Sequence, residues 1–459
     1  MTSPHKRIKE TPIDRLSALP DCLIIHILSL LEVKQSAITA LLSKRWQFLW
    51  TESPRLIFKE KRISTWALKR FVSRVNRTLV VCGRNDLDTF ELDFPYSKIY
   101  CPDYNVWVGF AVKSKAKQVS LSINHILDDF YTLPRTIFQS AYVKQLTLRG
   151  CTVAPRATIE WPSLTKLHIE DAELQQHVIE KILSGCPVLH CLVLKHCRGF
   201  NRLDMCSKSL YELWVDDSVY FDDFDKHYED FDKPLLQISA PNLHTLSVSV
   251  NPKGRKLCLG NISSLVRATI NFAVYVCDTS STEVMSNAME ILEKIRHVKV
   301  VDLRYGYIKV LSRLAMNDRF PQSARTCLWV NAPTDKCSMH VVIGLLESSP
   351  NLEALVIDFS SIVRGPCTYL DSKTDLDCDL LHLKRIVIKD FTSPNCVGEP
   401  MLTLARILLN KAPALEKMVV RIESFTSSPQ AAVNEDEPFN IAQALLSYPR
   451  SSKAVVVFN

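Results

Sequence analysis

Cysteine and histidine are the residues of this chain best suited to chemistry. The 459 residues hold fifteen of the first and twelve of the second. The densest group, Cys186, Cys191, Cys197 and Cys206, has four, five and eight residues between successive members. Thiolate zinc sites draw on close C-x-x-C pairs, and none occurs in this group, so the spacing favours buried structural thiols. His190 and His196 border an apolar strand phrase, where a satisfied structural histidine is the expected reading. No G-x-S-x-G, G-x-x-x-x-G-K-[ST], H-E-x-x-H or G-x-G-x-x-G occurs. Acyl transfer by a nucleophile elbow, phosphate binding by a Gly-rich loop and zinc proteolysis therefore have no sequence support. The chain reads as a non-enzyme without cofactor or metal, and its residues point to binding.

The binding signal is densest at the start. Residues 19–50, LPDCLIIHILSLLEVKQSAITALLSKRWQFLW, hold an apolar helix after Pro20, with Asp21 expected to cap it. At about 100° per residue, Leu23, Ile24, Ile27, Leu28, Leu30 and Leu31 cover an arc of roughly 160°, wider than the stripe of about 100° one neighbour needs. Ala37 to Leu42 read as a second short helix. Ser43 is expected to cap a third, with Trp46, Leu49 and Trp50 on one face. Three short helices of this kind cannot bury all their own apolar surface.

In order and spacing, Leu19-Pro20, Ile27-Leu28, Leu31, Ser43-Lys44-Arg45-Trp46 and Leu49-Trp50 resemble the F-box of plant F-box proteins. The resemblance implies docking on a Skp-type adaptor and, through it, on a cullin of a ubiquitin ligase. Adaptor contacts are then expected from Leu19, Pro20, Ile24, Leu28, Leu31, Trp46 and Trp50. Such a protein needs no catalytic residue of its own, because other subunits transfer ubiquitin.

Beyond residue 110 one phrase recurs, an apolar residue, two variable ones, then apolar-x-apolar. It ends at Leu121, Leu146, Leu167, Leu192, Leu213 and Leu246, taking the first apolar of each inner pair, with steps of 25, 21, 25, 21 and 33. Four of the five steps match the roughly 20–29 residues of leucine-rich repeats. Weaker echoes stand at 298–303, 352–357, 383–388 and 415–420. Alternate residues of a strand face opposite sides, so one side builds a core shared between stacked repeats. The other side offers Arg149, then Lys166, His168 and Glu170, then Lys195, then Glu212, Trp214 and Asp216 as candidate contacts to an unknown protein substrate. Between strands, Val178, Ile179, Ile182 and Leu183 mark a return helix that Gly185 ends. Cys151 and Cys197 stand where this repeat class often closes its turn.

Residues 378–391, 405–422 and 441–458 resemble the FBD domain that follows the repeats in many plant F-box proteins. The expected fold is thus α/β. A three-helix F-box (12–58) leads through a connecting segment (59–110) into an irregular leucine-rich-repeat solenoid with a parallel sheet (111–375). An acidic-aromatic insertion interrupts the solenoid near 216–234, and an FBD block (376–459) closes it.

Composition excludes several classes. The first fifteen residues are charged and lack the apolar core of a signal peptide, and no run of eighteen apolar residues exists. With 47% hydrophobic residues, the chain reads as a folded cytoplasmic or nuclear protein with reduced thiols. The sequons at Asn76 and Asn261 are then chance matches. Residues 1–82 carry fifteen Lys/Arg against six Asp/Glu, leaving the rest at 7 − 9 = −2. The basic residues flank a tryptophan face and lack a nucleic-acid motif, so a protein partner is favoured over nucleic acid. A ligase-independent scaffold that binds a Skp protein without promoting turnover is the alternative.

Overall fold

The computed structural model describes residues 16, 18–62, 64–83, 85–124, 130–155, 158–205, 207–218, 235–252, 254–273, 281–314, 319–333, 335–359, 376–389, 398–421, 437–449 and 454–458. Cys206 and the insertion from 219 onward lie outside the described residues. The chain divides into two compact units, Met1–Leu167 with Ser184–Cys186, and His168–Leu183 with Pro187–Asn459.

The first unit opens with α1 (Asp21–Ser29), α2 (Val33–Ile38) and α3 (Trp46–Leu49), the last two each followed by one 3-10 turn. Then come β1 (Arg55–Lys59), α4 (Thr65–Val81), β2 (Thr89–Pro95), α5 (Cys101–Lys113), β3 (Gln118–Asn124) and β4 (Gln145–Arg149). These four strands pair in parallel in chain order. The parallel ladder therefore starts at residue 55, with two strands ahead of the first phrase recognised in the sequence. Leu56, Phe90, Val119 and Leu146 stand opposite one another, as do Phe58, Leu92, Leu121 and Leu148. Leu121 thus belongs one pleat further along than its phrase implied. The first step runs from Val119 to Leu146, 146 − 119 = 27 residues.

Burial explains the pleat. All eight of those side chains are inward and buried, while Glu91, Ser120 and Thr147 alternate outward and half-buried. Behind the strands, α4 and α5 pack an aromatic core. Phe71 stacks on Phe94 at 5.3 Å, and Trp107 meets Phe71 edge-on at 5.9 Å. Trp107 donates its indole N–H to Asn76 Oδ1 at 2.6 Å, and Asn76 Nδ2 donates to Asp103 at 2.7 Å. The amide of the first sequon is thus committed to the interior of a helix pair.

The boundary between units falls within β5 (Lys166–Glu170). Then follow α6 (Gln176–Gly185), β6 (Cys191–Lys195), β7 (Glu212–Asp216), β8 (Thr245–Val250) and β9 (Arg267–Phe272). Next are α7 (Thr282–Lys294), β10 (Val300–Leu303), α8 (Tyr305–Leu311), β11 (Cys327–Asn331), α9 (Lys336–Glu347) and β12 (Ala354–Asp358). The chain ends with β13 (Arg385–Lys389), α10 (Gly398–Lys411), β14 (Lys417–Val420), α11 (Glu437–Ser447) and β15 (Val455–Phe458). Strands β6 to β15 pair in parallel in chain order. The last three, which lie in the C-terminal block, continue that sheet in register: Leu355, Ile386, Met418 and Val456 stand opposite one another. Short strands Arg202–Asp204, Leu235–Ser239 and Lys256–Leu259 form a second parallel sheet among the returns. The returns after β9, β10, β11, β13 and β14 carry α7, α8, α9, α10 and α11.

The cysteines are parts of this frame. Gly150 (φ 64°) and His196 (φ 49°) follow β4 and β6 in the left-handed conformation, which turns the chain sharply. Cys151 and Cys197, next in line, are buried, and their Sγ atoms donate to the strand carbonyls of Arg149 at 3.4 Å and Lys195 at 3.3 Å. Burial pushes both thiols well above their ordinary range, and Cys186 up to about 12. A thiol so hard to ionise is a poor nucleophile and a poor metal ligand. Among the described residues, no group of His, Cys, Asp or Glu is arranged to hold a metal.

Candidate functional site

The three-helix module builds its surface from one constraint, that α1 is apolar on two stripes. Ile24 and Leu28 turn inward with Trp46 to form its core, at 0, 1 and 4% exposure. Leu19, Leu31, Leu49 and Trp50 pack around that core. Four residues apart on the neighbouring stripe, Leu23 and Ile27 face solvent, followed one turn later by Leu30. Ile38, Leu41, Leu42 and Phe48 are exposed as well, Leu41 at 87% and Phe48 at 68%.

This placement divides the expected adaptor residues. Ile24, Leu28 and Trp46 are interior, and Leu19, Leu31 and Trp50 are partly covered by them. Pro20 is exposed ahead of α1. The side chains open to a partner are largely ones that the sequence reading left out of its adaptor set. Their signal was present in the over-wide apolar arc, but the arc alone does not say which stripe turns inward.

Two capping expectations are corrected. Asp21 lies inside the first turn of α1 rather than ahead of it, and the cap position is taken by Pro20, which makes no side-chain bond there. The carboxylate instead accepts from Arg45 Nε at 2.9 Å and Nη2 at 2.5 Å, while the same guanidinium reaches the Leu19 carbonyl at 2.6 Å. The start of the module is thereby tied to the Lys-Arg-Trp step. Ser43 does not cap α3, because its backbone carbonyl rather than its hydroxyl meets the Trp46 N–H, at 3.1 Å. Ser36 adds a second tie, from its Oγ to the Leu28 carbonyl at 2.8 Å.

On the outward side of the sheet, the second unit brings several predicted residues together. Lys195 stands opposite Asp216, and Trp214 opposite Val193 on one side and Ser247 on the other. Glu212 lies opposite Cys191 and Thr245. Trp214 is 45% exposed, as a contact residue must be. His168 Nε2 lies 3.6 Å from Glu170, one step along β5. Arg149 and Lys166 are exposed in the first unit. A second tryptophan on the outward side, Trp329 on β11, is 38% exposed and was not among the predicted residues.

Family models match the helical module and the repeats separately. Residues 16–58 match the F-box domain model, and residues 84–455 match the At1g61320/AtMIF1 leucine-rich-repeat domain model. Among Arabidopsis thaliana proteins, the F-box/FBD/LRR-repeat protein At2g26030 is 23% identical over 97% of this chain and 98% of its own length. F-box/LRR-repeat protein At3g03360 is 24% identical over 90% of this chain and 85% of its own. F-box/LRR-repeat protein At5g02910 is 28% identical over 75% and 72%. Proteins of this make-up are typically non-catalytic adaptors with a substrate-recognition role. Among the described residues, no helix is long and apolar enough to cross a membrane. The chain belongs to the At1g61320/AtMIF1-type leucine-rich-repeat family and, through its N-terminal F-box, to the plant F-box/LRR-repeat proteins.

Proposed function

We propose that this protein is the substrate receptor of a Skp-cullin-F-box ubiquitin ligase. Its three-helix module holds the Skp-type adaptor, and the outward face of its repeats holds a target protein. The observation that carries this reading is the exposed apolar surface of a module whose own core is already filled. Leu41 and Phe48 stand in solvent while Ile24, Leu28 and Trp46 are packed. Contiguous exposed apolar side chains on a small module mark a protein interface. The chain contributes effective concentration, one end anchored to the ligase and the other holding the target close to the transferring subunits. The C-terminal block, β13 to β15 with α10 and α11, serves in this reading as the FBD unit that closes the repeat sheet. The protein works in the cytoplasm, the nucleus or both.

Affinity capture of the tagged full chain from plant cells tests this. The expected result is co-purification of a Skp-type adaptor together with a cullin, both lost in a Leu41→Asp/Phe48→Asp variant that keeps the parent Tm. Capture of the adaptor without any cullin would overturn the ligase assignment in favour of a ligase-independent scaffold.

A further inference from the structure

The middle outward row of the sheet changes character at β11. From β7 to β10 it reads Trp214, Ser247, Thr269 and Asp302, polar after its first member. From β11 to β15 it reads Trp329, Val356, Val387, Val419 and Val457, one directly opposite the next. Outward positions of an open sheet face normally turn polar; here Trp329 is exposed, Val356 is buried, and Val387, Val419 and Val457 are half-buried, an apolar track that water does not favour. At about 4.8 Å per strand it runs roughly 19 Å, the length of about six extended residues.

Over β13 and β14 the borders of this track are cationic. Arg385 and Lys417 stand beside Val387 and Val419 at one strand end, exposed and opposite each other. Lys389 and Arg421 stand at the other end. Among the described residues, no carboxylate lies within ion-pair distance of Arg385, Lys417 or Arg421. Lys389 is shared, with its Nζ 4.0 Å from Asp358 and 5.3 Å from the centre of the Trp329 ring. That contact holds the indole at the head of the valine track. At the strand entries, Glu353 is answered by Lys384 at 4.0 Å, and Glu416 is next to Lys417.

An apolar floor between cationic edges fits one occupant better than others. We infer that the outward face of β11 to β15 binds a short acidic segment of a partner protein, with bulky apolar side chains on the valines and Asp or Glu against Arg385, Lys417 and Arg421. Single-stranded nucleic acid requires aromatic platforms repeated along the track, and valines offer no ring to stack on. This inference rests on the receptor reading, which it sharpens from an unspecified target to an acidic, apolar one.

The test uses the full chain and fluorescein-labelled synthetic peptide pools of about twelve residues. The first pool has acidic ends and two positions of Leu, Ile, Phe or Trp in its centre. The second has Lys/Arg ends around the same centre, and the third has acidic ends around Ser, Asn and Gly. Fluorescence anisotropy should show the first pool binding about tenfold or more tighter than either other. Val387→Asp should abolish that preference. Arg385→Glu with Lys417→Glu, both at exposed positions that leave folding unaffected, should shift it to the Lys/Arg-ended pool. Equal binding of the three pools, or a preference unchanged in the charge-reversed variant, would overturn the inference. Displacement of the first pool by an oligonucleotide, or a dimer that Val387→Asp dissociates in sedimentation, would also overturn it. Adaptor capture measured on the same variants keeps the two readings apart. Lost peptide preference with intact adaptor capture removes this inference alone, and absent adaptor capture removes the receptor reading while the peptide result stands.

Discussion

Trp46 and Phe48 lie two residues apart in the same short helix, and the structure assigns them opposite tasks. Trp46 is 4% exposed in a core with Ile24 and Leu28, whereas Phe48 is 68% exposed. Truncating a buried tryptophan costs about 3–5 kcal/mol. The module spans little more than thirty residues, and at about 0.05–0.15 kcal/mol per residue its share of stability is roughly 2–5 kcal/mol. Trp46→Ala should therefore melt residues 19–52 locally while the repeats stay folded. Phe48→Ala should change stability by no more than about 0.5 kcal/mol. If the exposed ring anchors the adaptor, the same change costs about 2–4 kcal/mol of binding, a weakening of roughly 30- to 900-fold in Kd. Amide hydrogen exchange over residues 19–52 reads the first effect, and titration calorimetry with a purified Skp-type adaptor reads the second. Parent-like adaptor affinity in Phe48→Ala and in Leu41→Ala, both at positions exposed in this module, would refute the assignment of these two side chains to the partner.

Two further outcomes follow from packing. A Cβ on Gly185 would sit 2.2 Å from the backbone oxygen of Ile159, whose neighbour Trp161 donates its N–H to the Gly185 carbonyl at 3.0 Å. Gly185→Ala should lower stability by about 1–3 kcal/mol, seen as a reduced calorimetric Tm, and an unmoved Tm would show that this close approach is not required. Arg325, 1% exposed, has Nη1 without a hydrogen-bond partner, and burial lowers its pKa to about 10. Arg325→Met should leave the Tm equal or higher, because it removes a buried, incompletely satisfied charge; a clear drop would show that the guanidinium stabilises the fold.

That arginine also explains which repeats were legible in the sequence. Three residues before the first inward strand residue, most of the ladder has a buried apolar side chain, among them Val143, Leu164, Leu189, Leu210, Leu243, Val298, Leu352, Leu383 and Leu415. Arg325 occupies the same position before β11, donating from Nε to Ser323 Oγ at 2.5 Å. The phrase CLWVN was passed over because its leucine slot holds a charge. Strand β9 was passed over because Ala268 replaces the large inward residue, although Leu265 is in place. Strand β1 escapes the pattern because Ser53 fills its leucine slot and Leu56 lies 90 − 56 = 34 residues from Phe90, outside the period of about 20–29 residues. Strand β2 keeps Leu87 and the pair Phe90 and Leu92, 119 − 90 = 29 residues from Val119, but has no counterpart ahead of it at that period.

The F-box module was legible in a different sense. Its wide apolar arc calls for two neighbours, but periodicity is silent about which stripe the chain itself covers. That choice is made by contacts between residues distant in sequence. Trp46 packs over Ile24 and Leu28, and Arg45 beside it reaches back to Asp21 and Leu19. Once the indole covers that stripe, the stripe one residue earlier, Leu23 and Ile27, is the one left open. A motif shared by position marks both stripes equally, because the core and the partner surface each tolerate only apolar side chains. The distinction lies in which stripe Trp46 buries, to which the exposed Arg45–Asp21 pair adds little. Asp21→Ala should therefore change the stability of residues 19–52 by no more than about 1 kcal/mol in amide hydrogen exchange, and a larger loss would show that the pair rather than the buried indole sets the rotation of α1.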